Sequence, residues 1–310
     1  MPAEFVSISD AWESLRGDPM PWLLDEDRPN LHWRVLVELV RRPVSSPAVL
    51  RARGGADAAE PIASLLAELD PDGSWATGVG YWRPYSGPGW RIVAAVQWGA
   101  DPTDPRLHAA AERFLETAAG EGGFARREGG DSVAWLTARM LHALADLGWC
   151  RHPRFQEALA WLEEEAAIAR GVTPVALLAA LTSCPDQPRP ALRSRAVEGI
   201  LRELAEGTRS ASRLGHPGLG RTDLAEMLSV LARADVPFAP EMGPVLARLQ
   251  RKQLSGGFWR RDINPPATLP LGASPPGRGP SRWVTLRCVT ALMRYAVDAK
   301  LPRMYPEKPN

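Results

Sequence analysis

The chain has little of what the simplest assignments need. Its 310 residues include only three cysteines, Cys150, Cys184 and Cys288, an odd number set far apart with no CxxC among them. A disulfide framework is therefore not expected, and free thiols in a reducing cytoplasm are the simplest reading. No apolar run approaches the roughly 20 residues that cross a bilayer, and the longest, Val172–Leu181, is too short. The N-terminal MPAEFVSISD lacks the basic-then-apolar order of a signal peptide. Charge of one sign is missing as well. Lys and Arg number 37 against 36 Asp and Glu, a net charge of +1 that gives no electrostatic footprint for nucleic acid or an anionic membrane. The five histidines form no HxxxH or HxH, and no stretch alternates as a strand would.

What is abundant is punctuation and flat aromatic surface. Thirty prolines and 27 glycines imply many short elements, and 12 tryptophans outnumber 4 tyrosines. The glycines and aromatics fall into a repeat. Leu65, Gly73 and Trp75 share their spacing with Phe114, Gly122 and Phe124, and with Leu249, Gly257 and Trp259. Gly73 and Gly122 are 49 residues apart, and the 135 residues from Gly122 to Gly257 make three units of 45. Two units without the signature are expected in between, where Pro153–Glu165 and Leu192–Glu206 read as helices. A period of 40–50 residues marks a repeat architecture.

Each unit opens with a two-faced helix, as in Ile62, Leu65, Leu66 and Leu69, or Met242, Val245, Leu246 and Leu249. The glycine then permits a left-handed turn, and the aromatic folds back over the helix end. A helix apolar nearly all round follows. This series is predicted at Asn30–Arg41, Gly89–Gly99, Asp131–Leu147, Val172–Ser183, Leu219–Ala234 and Arg282–Val297. Helices apolar on every side are buried on every side. Alternation of the two kinds predicts an all-α fold, an (α/α)6 toroid of about six inner and five to six outer helices, in one domain over 1–310. Met1–Pro29 would supply an outer segment with a capping box from Ser7 to Asp10, Arg260–Pro280 a long proline-rich loop, and Lys300–Asn310 a tail.

The Gly-x-aromatic staple resembles the QW motif, Gln-x-x-x-Gly-x-Trp, of the terpenoid cyclase and protein prenyltransferase superfamily. Gln253, Gly257 and Trp259 match it fully, whereas Leu69 and Ala118 stand where the other two copies would carry glutamine. PWLLDEDRPN (Pro21–Asn30) and PSRWVTLRCVTAL (Pro280–Leu292) resemble standalone bacterial prenyltransferase/squalene-oxidase-repeat proteins. The resemblance implies a toroid with a central apolar cavity. It does not fix an activity, and the superfamily's reactive signatures are missing. DEDR (Asp25–Arg28) and DPDG (Asp70–Gly73) are not the Asp-x-Asp-Asp of a proton-initiated cyclase, and no Asp-Asp-x-x-Asp box is present to hold Mg²⁺. Neither Cys288 nor Cys150 has the aspartate two residues before it that a prenyltransferase zinc site uses, and WCRH (Trp149–His152) falls in a short turn on the wrong rim. No metal and no cofactor are expected.

Connections into the apolar helices are long (Ala76–Pro88, Gly120–Gly130, Gly207–Gly218, Arg260–Pro280) and those out of them are short. Long loops would then share one rim, together with the N-termini of the inner helices. Tyr81, Trp82, Arg83, Tyr85, Trp90, Arg91, Trp135, Arg221, Arg282 and Trp283 are the candidate ligand-binding residues there. Aromatic faces and guanidiniums at helix N-termini suit a small ligand with an apolar body and an anionic end, of the isoprenoid type. Asp131 and Asp223 are the candidate catalytic acids. Each also has a plain structural reading, Asp131 as a helix cap and Asp223, like Arg221, as an ion-pair partner of neighbouring ring helices. His142, on an apolar helix, reads as a core histidine. Two alternatives stand beside the ligand-binding toroid: a scaffold that engages a protein partner through the long-loop rim, and a carbohydrate-active barrel using Asp131 and Asp223 as paired carboxylates.

Overall fold

A computed structural model describes residues 8–70, 72–75, 87–117, 121–126, 129–164, 170–207, 212–264 and 279–304. Among these residues the chain is helical, and its only β pairing consists of isolated bridges. The helices are α1 (Ile8–Glu13), α2 (Met20–Leu23), α3 (Pro29–Glu38), α4 (Pro47–Gly54), α5 (Ile62–Ala67), α6 (Pro88–Gln97) and α7 (Pro105–Thr117). They continue as α8 (Ala134–Asp146), α9 (Pro153–Glu164), α10 (Val172–Ser183), α11 (Pro190–Glu206), α12 (Leu224–Arg233), α13 (Met242–Arg251) and α14 (Arg282–Tyr295). None is long and apolar enough to cross a membrane.

Proline does much of the punctuation. Six helices, α3, α4, α6, α7, α9 and α11, begin on a proline, where the missing N–H would have been unpaired in any case and φ is already helical. The two expected helix types are present. Every residue from Thr173 to Leu181 in α10, from Gly89 to Gln97 in α6 and from Leu224 to Ala232 in α12 is buried. In α13, by contrast, Met242, Val245, Leu246, Leu249 and Gln250 are the buried face. The buried helices pack in the succession α6, α8, α10, α12, α14, α3. From α3, Asn30 Nδ2 donates to Trp98 O at 2.9 Å, Trp33 Nε1 to Gly99 O at 2.7 Å and Arg34 Nη2 to Val96 O at 3.1 Å, which brings the series back to the end of α6.

The glycine turns behave as the repeat predicts. Trp75 Nε1 donates to Leu65 O at 3.0 Å and Trp259 Nε1 to Leu249 O at 2.7 Å, so each indole is tied to the carbonyl ten residues before it. Phe124 has no such N–H and packs its ring 5.5 Å from Phe114 instead. Gly73, Gly122 and Gly257 have φ of +79°, +85° and +83°. A Cβ on Gly73 would lie 2.9 Å from the Ala109 carbonyl carbon, one on Gly122 would lie 2.8 Å from Trp161 Cδ1, and one on Gly257 would overlap the Gly17 carbonyl. Each turn therefore also abuts a neighbouring segment. Gln253 completes the third turn, accepting from Arg16 N at 2.9 Å.

Three expectations need correction. Cys150 and Cys184 are not free thiols: they form a disulfide with Cα atoms 5.8 Å apart, joining the turn after α8 to the end of α10. Only Cys288 is free, and it is buried. The cytoplasmic assignment loses the free cysteines as its basis, and WCRH loses its metal-binding thiolate. Second, α8 starts at Ala134 with Val133 in the N-cap position and no side-chain cap, so Asp131 does not cap it. Third, α12 starts at Leu224, not Leu219, because Asp223 Oδ1 accepts from Glu226 N at 2.9 Å and fixes the helix start there. Ser7 of the proposed capping box lies outside the described residues.

Two predictions follow from these contacts. Gly148 has φ +84° but would meet nothing within 4 Å, so Gly148→Ala isolates the backbone cost, about 1 kcal/mol. Gly257→Ala adds the overlap with Gly17 and is expected to cost about 2 kcal/mol more in urea denaturation; equal costs would deny the close approach. The disulfide closes a sequence separation of 34 residues, so its reduction should lower unfolding free energy by about 3–4 kcal/mol. Alkylation of both Cys150 and Cys184 in non-reducing denaturant would refute the bridge.

Candidate functional site

Where the buried helices face one another, their few charges meet. Arg139 on α8 sends Nη1 to Glu226 Oε1 at 2.7 Å and Nη2 to Glu226 Oε2 at 3.0 Å, a two-pronged pair with α12 whose side chains are essentially inaccessible. Arg287 of α14 lies 3.8 Å from the same carboxylate. Arg34 on α3 bonds Asp146 on α8 at 2.7 Å, Ser183 on α10 donates to the other Asp146 oxygen at 2.7 Å, and Arg233 on α12 approaches Glu38 at 3.7 Å. Burial would raise the Glu226 pKa, but Arg139 and Arg287 outweigh it and hold the carboxyl at about 2. Asp146 is likewise held far below the usual range, burial being outweighed by Arg34, His142 and Arg233. His142 is pushed down to about 4, chiefly by burial, and is a neutral core histidine. Most of these groups, together with Gln97, Trp283 and His216, line a space of about 40 Å³. The helices meet on a packed polar network, not on the apolar cavity that the resemblance implies.

The larger cavity, about 330 Å³, lies to one side, where the start of α14 faces the α2–α3 turn and the His216 segment. Trp22, Leu31, Trp98 and Trp283 give it apolar walls, and Arg28, Arg261 and Arg282 line it with guanidiniums. Arg282 Nη2 bonds Asp25 Oδ2 at 2.7 Å and its guanidinium lies 4.9 Å from the Trp22 ring centre, while its Nη1 is buried with no hydrogen-bond partner among the described residues. Asp25 is held below its ordinary pKa by the Asp27 N–H and by Arg282. Glu60 is the carboxylate on the cavity wall, and both its oxygens lie within hydrogen-bond distance of Ser64 Oγ, at 2.8 and 2.7 Å. The ends of the long loop converge here, because Arg260 and Pro280 form a bridge and Ser281 N donates to Trp259 O at 2.8 Å. Ser281 caps α14, accepting from Val284 N at 3.5 Å.

Of the sequence-derived candidates among the described residues, the structure brings only Arg282 and Trp283 to this cavity. Tyr81, Trp82, Arg83 and Tyr85 lie outside the described residues. Trp90 packs against Trp135 at 5.7 Å, and Arg91, buried, pairs with Glu68 near Trp75. Arg221 donates to Arg213 O at 3.1 Å. Asp131 is exposed and so lacks the burial expected of a proton donor. Asp223 is buried, and burial raises its pKa against the opposing Arg287, but both oxygens are engaged by backbone N–H groups. One accepts from Glu226 N and the other from Gly215 N at 2.7 Å. Neither aspartate lines either of these two cavities. Asp57 is pushed up to about 7 by burial and the neighbouring Asp104 carboxylate; it too lies outside both cavities.

The residues missed were Arg28, Arg261, His216 and the charged network. The network did carry a signal: Arg139, Glu226 and Arg287 are charges flanked by apolar residues within mostly apolar helices, a placement that requires buried partners. Among the described residues no group of three His, Cys, Asp or Glu is placed to hold a metal ion. Comparison with protein-family models and with curated proteins finds no match to this chain.

Glu226→Gln would leave the Arg139 charge buried without its counter-ion and is expected to lower stability at pH 7 by about 3 kcal/mol. Because the folded-state pKa of Glu226 is depressed to about 2, the wild-type advantage is full above the unfolded carboxyl pKa, declines below it and is lost as pH falls through the folded value. Urea titrations from pH 5 to pH 2 should show the two proteins converging. A constant gap would contradict the ion pair.

Proposed function

We propose that the chain is an (α/α)6 toroid of the terpenoid cyclase and prenyltransferase type that binds a small isoprenoid-like ligand with an anionic end in the cavity beside α14. The toroid reading draws on the succession of buried helices and the return from α3 to α6. The observation that carries the ligand reading is the convergence of three tryptophans and three arginines on one space at the N-terminus of a 14-residue helix. Indole faces match an apolar chain, while guanidiniums and the positive end of α14 match a phosphate or carboxylate. A volume of about 330 Å³ is at the lower end for ligand sites, which favours a short chain, of the geranyl or farnesyl class, over a long one.

Binding is the reading supported, rather than acid catalysis by Asp131 or Asp223, since the first is exposed and the second has both oxygens engaged. The rival scaffold reading depends on the long-loop rim, most of whose longest loop, Arg260–Pro280, lies outside the described residues.

Native mass spectrometry and calorimetry with geranyl, farnesyl and geranylgeranyl diphosphates test the proposal. A single adduct is expected, tighter for the shorter chains. Arg282→Ala should weaken it at least tenfold while changing stability by about 1 kcal/mol or less, because the Asp25 pair it breaks is partly solvated. No adduct with any of the three at 100 micromolar order ligand, about the weakest affinity worth calling specific here, would reject the reading.

A further inference from the structure

The cavity wall contains a group that the fold itself does not use. His216 is 4% exposed, and neither ring nitrogen has a hydrogen-bond partner among the described residues. Its position is nonetheless tightly set. The imidazole stacks on the Trp283 indole with ring centres 4.8 Å apart and planes 10° from parallel. On one side Gly215 N donates to Asp223 at 2.7 Å, and Gly215 O lies 3.4 Å from Arg287 Nη1. On the other, the Gln97 side chain grips Gly218, accepting from its N–H at 2.6 Å and donating to its carbonyl at 3.2 Å. The flanking bonds come from neighbours of His216, while the backbone of Gln97 approaches its ring. A buried polar group left without a partner costs about 1–3 kcal/mol, and natural cores retain such groups where function relieves the cost.

We infer that His216 is a ligand-recognition residue, and that the ligand carries a neutral hydrogen-bonding group of the hydroxyl class on its apolar body, away from the anionic end. This rests on the cavity reading above. The ring is neutral: burial, reinforced by the nearby Arg287 cation, keeps it unprotonated, and the Gln97 backbone opposes this without prevailing. A neutral imidazole offers one N–H and one bare nitrogen. A hydroxyl complements whichever of these faces the cavity, by accepting from the first or donating to the second. A phosphate or carboxylate satisfies only the N–H, and its charge is already matched by Arg28, Arg261 and Arg282.

The test compares geranyl diphosphate with its two isomers hydroxylated at the far terminal carbons, by calorimetry on wild type, His216→Phe and His216→Gln. His216→Phe keeps an aromatic face on Trp283 and removes both nitrogens. Wild type should bind one hydroxylated isomer at least tenfold tighter than geranyl diphosphate. His216→Phe should bind all three alike and, without ligand, melt no lower than wild type, because it removes an orphaned polar group. His216→Gln, which keeps a donor and an acceptor, should restore part of the preference. Equal affinities in wild type, or a preference that survives in His216→Phe, would overturn the inference while leaving the cavity reading intact. Absence of binding by all three probes to wild type would reject the cavity reading and this inference with it. A large fall in the ligand-free melting temperature of His216→Phe would assign His216 to the fold.

Discussion

The Arg139–Glu226 pair is the interaction on which the rest of the structure depends. Besides its two bonds to Glu226, Arg139 donates from Nε to Leu219 O at 2.9 Å and from Nη2 to Arg221 O at 2.8 Å. One guidance point on α8 thus holds α12 and also the 219–221 segment leading into it. That segment delivers Asp223, which caps α12 and reaches back to Gly215, and Gly215 sets His216 at the cavity wall. A charge buried without a partner is among the costliest defects in a protein, whereas a fully bonded one specifies a single arrangement of the groups around it. Here the arrangement specified includes the site.

A second constraint sets the spacing of the outer helices. Trp75 and Trp259 each return an indole N–H to a carbonyl of the preceding helix, and the glycine two residues before each indole lets the neighbouring segment approach where a side chain would block it. The staple therefore joins one unit internally and spaces it from the next. Proline at the first position of six helices sharpens the starts, which lets short elements follow one another without long frayed ends.

Periodicity made the fold readable. The helices α3, α6, α10 and α14 fall within a few residues of their expected spans, because long apolar runs with helical spacing leave no other element type to explain them. Starts that depend on a single capping side chain were not readable: Asp131 and Asp223 look equivalent in sequence, yet Asp223 caps α12 and Asp131 is exposed. The cysteine pairing was also hidden, since 34 residues separate two positions that helix packing brings together. The site was legible only in part. Arg282 and Trp283 follow from their place at a helix start, but Arg28, Arg261 and His216 come from three separate turns, and only tertiary packing assembles them around Trp22 and Trp98. The polar filling where the buried helices meet was announced by charges set among apolar neighbours in these helices and was overlooked because each, taken singly, reads as an exception.

The central claim is that the tryptophan- and arginine-lined space beside α14 holds an apolar ligand by its anionic end. The most direct measurement is a crystal structure of the protein with geranyl diphosphate. The account predicts density for the diphosphate among Arg28, Arg261 and Arg282, and for the chain between Trp22, Trp98 and Trp283. Ligand density at another place in the fold, with this cavity holding only water, would contradict it.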